Sequence, residues 1–386
     1  SRRPELLELL ERETEGNAFF LVEVVRALAE QAGGLERIGD MALPDKVFAG
    51  GVENVVQQRL RAVSGQARAL LSLAAVSGRR LEPLLLARLM PEADLNDCIA
   101  RCLEAAILER TGEELRFRHE KLREGVLATL PEGESAKLHA RVAKALEAEH
   151  GDEPEYYAAI SQHFGQAKNL PKEAHYAGLA GDYALLHGAV REAIELLERS
   201  RTWRATQGDA MALARVCVTL GDAHYMMMEM DQAMSSAAQG SAALGVRFPS
   251  GKLESALSLL WQLALHVIYR VWPAFALRGD AAQRPAKQVA SVAAGCAATV
   301  NISQSNAVGV LLFSLMAWNL GERAGARNLW ASGVLGYGLA VLGFTGLAES
   351  YFVSTERGAR VLDGSYAVVK TSYLIGIGEL DAAEAL

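Results

Sequence analysis

Cysteine is scarce in this chain: Cys98, Cys102, Cys217 and Cys296 are its only thiols. Four scattered cysteines make no disulfide framework, and a reducing cytoplasm is the simplest compartment for them. Cys98 and Cys102 lie one helical turn apart, but no His or Cys joins them at zinc-like spacing, so two buried or half-buried thiols are expected rather than a metal site. Proline is equally rare, with 10 in 386 residues. With few helix breakers and many strings of Ala, Leu, Glu and Arg, the fold class reads as mainly α. Also missing is a glycine-rich turn ending in Gly-Lys-Ser/Thr, the loop whose amides and lysine hold nucleotide phosphates. The 386 residues are therefore not expected to hydrolyse ATP by themselves. There is no excess of positive charge either: 39 basic against 46 acidic residues give a net charge of -7. Nucleic acid and anionic membrane are thus disfavoured as dominant partners.

What is present is a globular composition, 51% hydrophobic and 22% charged, long enough for two or more domains. Ser1-Arg2-Arg3 leads into a charged amphipathic run instead of the apolar core of a secretory signal. The first residue is not Met and the last residues read as an interrupted helix, so both ends are expected to be cuts in a longer protein. Residues 256–277 and 328–348 are apolar enough to test against a bilayer, which needs about 20 apolar residues. His266 and Arg270 interrupt the first, and the glycines of the second fall where helical repeats explain them, so buried helices and no membrane partner are expected.

Three regions follow from the periodicity. Residues 1–48 read as a small helical subdomain with helices over 4–14 and 19–32, the second carrying a stripe of Leu21, Val24, Val25 and Leu28. Residues 49–134 read as helices over 52–62, 66–76, 81–89 and 94–106. A β-hairpin around Thr111-Gly112-Glu113-Glu114 and a helix over 120–130 follow. Three helices followed by a hairpin suggest a winged helix. Its would-be recognition helix, 94–106, sets Asp94, Asp97 and Glu104 against Arg101, which opposes phosphate contact.

Residues 135–386 read as an α-solenoid of helical hairpins like tetratricopeptide repeats. Gly181, Gly188 and Ala193 are spaced seven then five, and Gly336, Gly343 and Ala348 repeat the interval. Gly221, Met228 and Ala233 keep it with Met in the middle, and Gly378 and Ala383 keep the inner five. Small residues at such positions permit close helix approach, and hairpins of this kind must stack to bury their apolar faces. Residues 248–288 and 291–324 fit the interval poorly and read as divergent repeats or inserted helices.

Thr14-Glu15-Gly16-Asn17-Ala18-Phe19-Phe20-Leu21 resembles the segment that closes the ATPase module of bacterial signal-transduction ATPases with numerous domains (the STAND family), usually Gly-Asn-Pro-Phe-Phe-Leu. In that family a winged helix and tetratricopeptide-like repeats follow, the order read here. Residues 59–76 resemble the family's winged-helix opening and residues 175–200 its first clear repeat. The resemblance implies a regulatory and sensory piece of an ATP-dependent switch. ATP or ADP would be held by an upstream nucleotide-binding domain, which in some members is fused to a kinase or cyclase, and no cofactor is expected for these residues alone. It implies that Gly16, Asn17 and Ala18 lie at the rim of the nucleotide site, with Ala18 replacing the usual Pro. It also implies that His119, in Phe117-Arg118-His119-Glu120, reaches the nucleotide's phosphates, with Arg118 and Arg123 as helpers. Beside that role stands a purely local one, capping of its own helix. Implied partners are the upstream domain, a protein or small-molecule signal on the repeats, and a nucleotide-dependent oligomer. The alternative is a passive scaffold whose repeats bind a peptide or helix.

No nucleophile, base and orienting acid can be nominated from the remaining residues. His139, His150, His163, His175 and His187 recur at intervals near twelve, as solvated or capping residues of successive helices would. Met226, Met227, Met228 and Met230 read as filling between helices. Trp261, Tyr269, Trp272 and Phe275 read as aromatic core packing.

Overall fold

A computed structural model describes residues 4–14, 18–38, 57, 59–78, 80–112, 114–276, 280–326, 329–341 and 344–356, and positions 370, 371, 374 and 379. The chain is mainly α, and it divides into two compact units, residues 1–170 and 171–386. The boundary expected at residues 48 and 49 lies outside the described residues, as do Gly16, Asn17, Gly343, Gly378 and Ala383.

In the first unit, α1 (Pro4–Thr14) and α2 (Ala18–Ala32) pack on each other around Leu9, Val24, Leu28 and Ile38. Of the stripe expected on α2, Val24 and Leu28 are buried, whereas Leu21 is 40% exposed and lies off the packed face. A second group of elements surrounds α3 (Gly65–Ser77), whose residues 70, 71 and 73–76 are all buried. A helix apolar on every side must lie at the centre of its module. Around it are β1 (Arg80–Leu81), α4 (Pro83–Leu89), α5 (Leu95–Glu104), β2 (Leu108–Thr111), β3 (Glu114–Phe117) and α6 (Glu120–Ala128). The helix expected from Leu81 in fact begins at Pro83. Leu81 pairs with Leu115 in a three-stranded antiparallel sheet of order β1-β3-β2, and proline at the first helical turn fixes the start.

The β2–β3 hairpin shows why its residues alternate. Leu108 pairs with Phe117, and Leu108, Leu115 and Phe117 are buried. The opposite face carries Glu109 across from Arg116, an ion pair of 2.8 Å. Cys98 and Cys102 are buried free thiols on α5, as expected, and burial pushes the Cys102 thiol up to about 12. α7 (Glu134–His150) then packs on α3, α4 and α8 (Tyr157–Gln166), and Arg141 Nη2 donates to the Leu89 carbonyl at 2.6 Å.

The second unit is a succession of antiparallel hairpins: α9 (Leu170–Leu186) with α10 (Val190–Gln207), then α11 (Ala210–Met226) with α12 (Met230–Ala243). α13 (Lys252–Val271) is followed by α14 (Arg284–Ser303) with α15 (Ala307–Ala324), and α16 (Leu329–Val341) with α17 (Thr345–Glu356). The seven–five interval has a physical meaning. A β-carbon on Gly181 would lie 2.5 Å from Leu197 and 3.3 Å from the Ala193 carbonyl; on Gly221 and Gly336 it would lie 3.4 Å from the carbonyls of Ala233 and Ala348. The first and third small residues thus form the crossing point of each helix pair. The helices of residues 328–348 pair in the same way, and no described helix is long and apolar enough to cross a membrane.

The middle position is the turn. Gly188 has φ +77°, and its follower Ala189 donates back to the Ala184 carbonyl at 2.9 Å, closing the helix with a left-handed residue. Met228 occupies the same conformation at φ +61°, with Glu229 donating to the His224 carbonyl at 2.9 Å. Met226 and Met228 are 55% and 73% exposed, so this part of the methionine cluster is turn surface and not interhelix filling. Because a left-handed non-glycine residue costs about 1–2 kcal/mol and glycine's looser unfolded chain returns part of that, Met228→Gly should stabilise the second unit by about 0.5–1 kcal/mol. A lower melting temperature for that variant would contradict it.

Residues 291–324, which fitted the interval poorly, form a regular hairpin. Ala298, Ser305 and Val310 hold the register, with Ser305 at φ +56° and Asn306 donating to the Asn301 carbonyl at 2.9 Å. What displaces the pattern is α13, which lies outside the series: α12 packs directly on α14, and α13 rests on α15.

Candidate functional site

His119 lies where β3 turns into α6. Its backbone is extended, φ -146° and ψ 146°, and its Nδ1 accepts the Lys121 backbone N–H at 3.2 Å, making it the N-cap of α6. A lone pair committed to the cap leaves the proton of the neutral ring on Nε2. Ala18 opens α2, and Gly16 and Asn17 are outside the described residues. Arg123, expected as a helper, is a strut: its Nη1 donates to the Ala75 carbonyl at 2.9 Å and its Nε to Glu120 Oε1 at 2.7 Å. It ties α6 to the last turn of α3, where helix carbonyls favour a cation.

Next to this strut is a cleft of about 480 Å³, within the usual range for small-molecule sites. Its walls are the end of α3 (Ala75 to Gly78), Glu120, Arg123 and Leu127 of α6, His139 of α7, and Gln162, His163 and Gln166 of α8. Four helices therefore meet around it, and His119 is the residue preceding one wall.

The histidines at intervals near twelve were expected to be solvated or capping, and two are neither. His139 Nδ1 and His163 Nδ1 approach to 2.9 Å, with the ring centroids 5.1 Å apart. One must donate and the other accept, so a single proton bridges them. Burial, with the neighbouring His139 in second place, pushes the His163 imidazole down to about 4, and burial also lowers His139. Both are neutral near pH 7, and neither Nε2 has a protein partner among the described residues. In the bridged tautomers one Nε2 carries a proton and the other a lone pair, a pairing that suits an amide or base edge.

Sequence reasoning missed this pair because its members are 24 residues apart on separate helices. One signal was available: His139 adjoins buried Leu138 and His163 adjoins buried Phe164, which places each at the edge of its helix's packed stripe. Among the described residues no group of three or more His, Cys, Asp or Glu side chains is arranged to hold a metal ion.

The second unit holds another buried polar cluster. His266 Nε2 hydrogen-bonds the Tyr351 hydroxyl, Trp318 meets the His266 ring edge-on at 5.6 Å, and Arg270 sits over the Tyr351 ring at 4.7 Å. Asn319 Nδ2 donates to the Gln262 carbonyl at 2.8 Å. Burial, followed by the Arg270 charge, lowers the His266 imidazole to about 4.

No family model and no curated protein matches this sequence. One solved structure, a signal transduction ATPase with numerous domains carrying a tetratricopeptide repeat sensor, from Pyrococcus horikoshii, is 14% identical to this chain with a TM-score of 0.32. The match covers 100% of this chain and 62% of that one, so this chain spans less than two thirds of the other's length.

Proposed function

We propose that these residues form a non-catalytic regulatory part of a nucleotide-dependent switch. In this reading the hairpins of residues 171–386 receive a protein or small-molecule signal, and α3 to α6 with their sheet act as a winged helix that touches nucleotide on an upstream domain through His119. The observation carrying the reading is the position of α7. It packs on α3 and α4 on one side and on α8 on the other, and the cleft at that junction is walled by α6, the helix His119 caps. A shift of α8 relative to α7 changes the cleft and, through Arg123, the seating of α6. A signal coupled in this way must bind the two arrangements with different affinity.

Releasing the His119 contact would then open the nucleotide site for exchange. In the protein with its upstream domain attached, His119→Ala should speed ADP release about 10- to 100-fold, the loss expected for one hydrogen bond to a charged group. The lost cap alone should cost only about 1 kcal/mol of stability. An unchanged release rate with that modest destabilisation would remove His119 from nucleotide contact and leave the cap as its role. The scaffold reading, in which the repeats bind a peptide and α3 to α6 only space them, would then stand in its place.

A further inference from the structure

Among the described residues, helix α13 packs on its unit through one side. Ser255, Leu259, Gln262, His266 and Tyr269 are half-buried or buried, and the helix rests on α15, where Gln262 meets Asn319 and His266 meets Trp318. The opposite side is apolar and open. Leu253, Leu257, Leu260, Ala264, Val267 and Val271 follow intervals of four, three, four, three and four, the spacing of a two-helix coiled-coil seam. All six are exposed; Leu253, Leu260 and Val271 are 76%, 65% and 79% accessible. Flanking positions of such a seam are normally charged, yet here they include Trp261, Leu263 and Ile268, also exposed. The charged side chains of α13 are confined to its ends: Lys252 and Glu254 at one, Arg270 at the other.

We propose that this face joins two copies of the chain through antiparallel pairing of α13 about a two-fold axis. A two-fold interface must be complementary to itself, and this one is. Pairing centred on Gln262 sets Leu253 opposite Val271 of the second copy, Leu257 opposite Val267, and Leu260 opposite Ala264, so every seam position meets a seam position. Opposed helix dipoles favour the arrangement as well.

Size supports it. With roughly 60–120 Å² for each large apolar side chain removed from water, Leu253, Leu257, Leu260, Leu263, Val267, Val271, Ile268 and Trp261 together amount to on the order of 800 Å² per copy. That equals what each partner of a standard stable interface buries, about 800 Å². It also exceeds the largest apolar patch of a typical monomer, about 300–600 Å².

The test is analytical ultracentrifugation of the whole 386-residue chain across the micromolar range. The wild type should be a dimer, and Val267→Glu and Ala264→Arg should each raise its dissociation constant by at least about 30-fold, the loss of one hot spot. Both positions are exposed, so the far-ultraviolet circular dichroism of each variant should be that of the wild type, while melting falls only by the lost contribution of dimerisation; should one variant misfold, the other decides. Because all four native cysteines are buried, Leu260→Cys mixed with Ala264→Cys should cross-link faster than either variant alone. A monomeric wild type would overturn the proposal, as would a dimer indifferent to both charged substitutions. A monomer that instead binds vesicles of phosphatidylglycerol would assign the face to a lipid surface and overturn it equally. Faster cross-linking by Leu260→Cys alone would overturn the antiparallel register.

Discussion

Phe117→Ala should destabilise the first unit by about 3–5 kcal/mol, the cost of deleting a large aromatic ring from a closed core. Phe117 is fully buried, pairs with Leu108 across the hairpin, and precedes His119 by two residues. Little room exists for collapse around the deletion, because Leu108, Leu115, Leu122 and Val126 are themselves buried and held by the sheet and by α6. Most domains are stable by only about 5–15 kcal/mol, so a loss of this size removes much of the margin. Urea titration followed by tryptophan-free probes, such as far-ultraviolet circular dichroism, measures it. A shift equal to that of a surface substitution would place Phe117 outside the core. The comparison with His119→Ala separates two roles carried by neighbouring residues, one of packing and one of capping and contact.

The second large effect is a loss of stability in acid that depends on His163. Burial depresses its folded pKa from the ordinary imidazole value of 6.5 to about 4, so the unfolded chain binds the proton more tightly. Stability from keeping this ring neutral is complete above pH 6.5 and is lost as the pH falls from there to about 4. At 1.36 kcal/mol per unit, the full loss is on the order of 3 kcal/mol. His163→Gln keeps a hydrogen-bonding group toward His139 and abolishes the titration. The stability difference between wild type and His163→Gln should therefore be flat above pH 7 and should move in favour of the variant as the pH falls. A difference independent of pH would show that His163 is solvated. His266, buried in the second unit and also lowered to about 4, contributes a loss of the same sign there. The wild-type profile alone thus exceeds the effect of His163, and the pairwise comparison is the diagnostic one.

Much of the architecture was legible in the sequence for identifiable reasons. The Gly181 to Ala193 interval marks a crossing point because only a residue without a side chain lets Leu197 and the Ala193 carbonyl approach so closely. The β2–β3 hairpin was legible because Leu108, Leu115 and Phe117 alternate with charged residues around a glycine turn. The misreadings also have physical causes. Leu81 reads as helical next to Leu84, Leu85 and Leu86, but its partner Leu115 is 34 positions away and draws it into a strand. Ser305 hides its turn because a left-handed residue can be stabilised by the hydrogen bond that closes the helix, whatever its side chain. At the candidate site the capping role of His119 follows from its place before α6, whereas the His139–His163 bridge follows from nothing local.

By itself the sequence determined the helical class, the turns marked by the seven–five interval and the small-residue crossings, because each depends on side chains within one turn or one pair of adjacent helices. Only the tertiary structure decided that two distant histidines share a proton in a cleft of four helices, and that α13 stands outside the hairpin series with an apolar seam facing out. Those outcomes depend on which helix faces pack together, and a helix with apolar residues on several sides does not specify which of them it will bury.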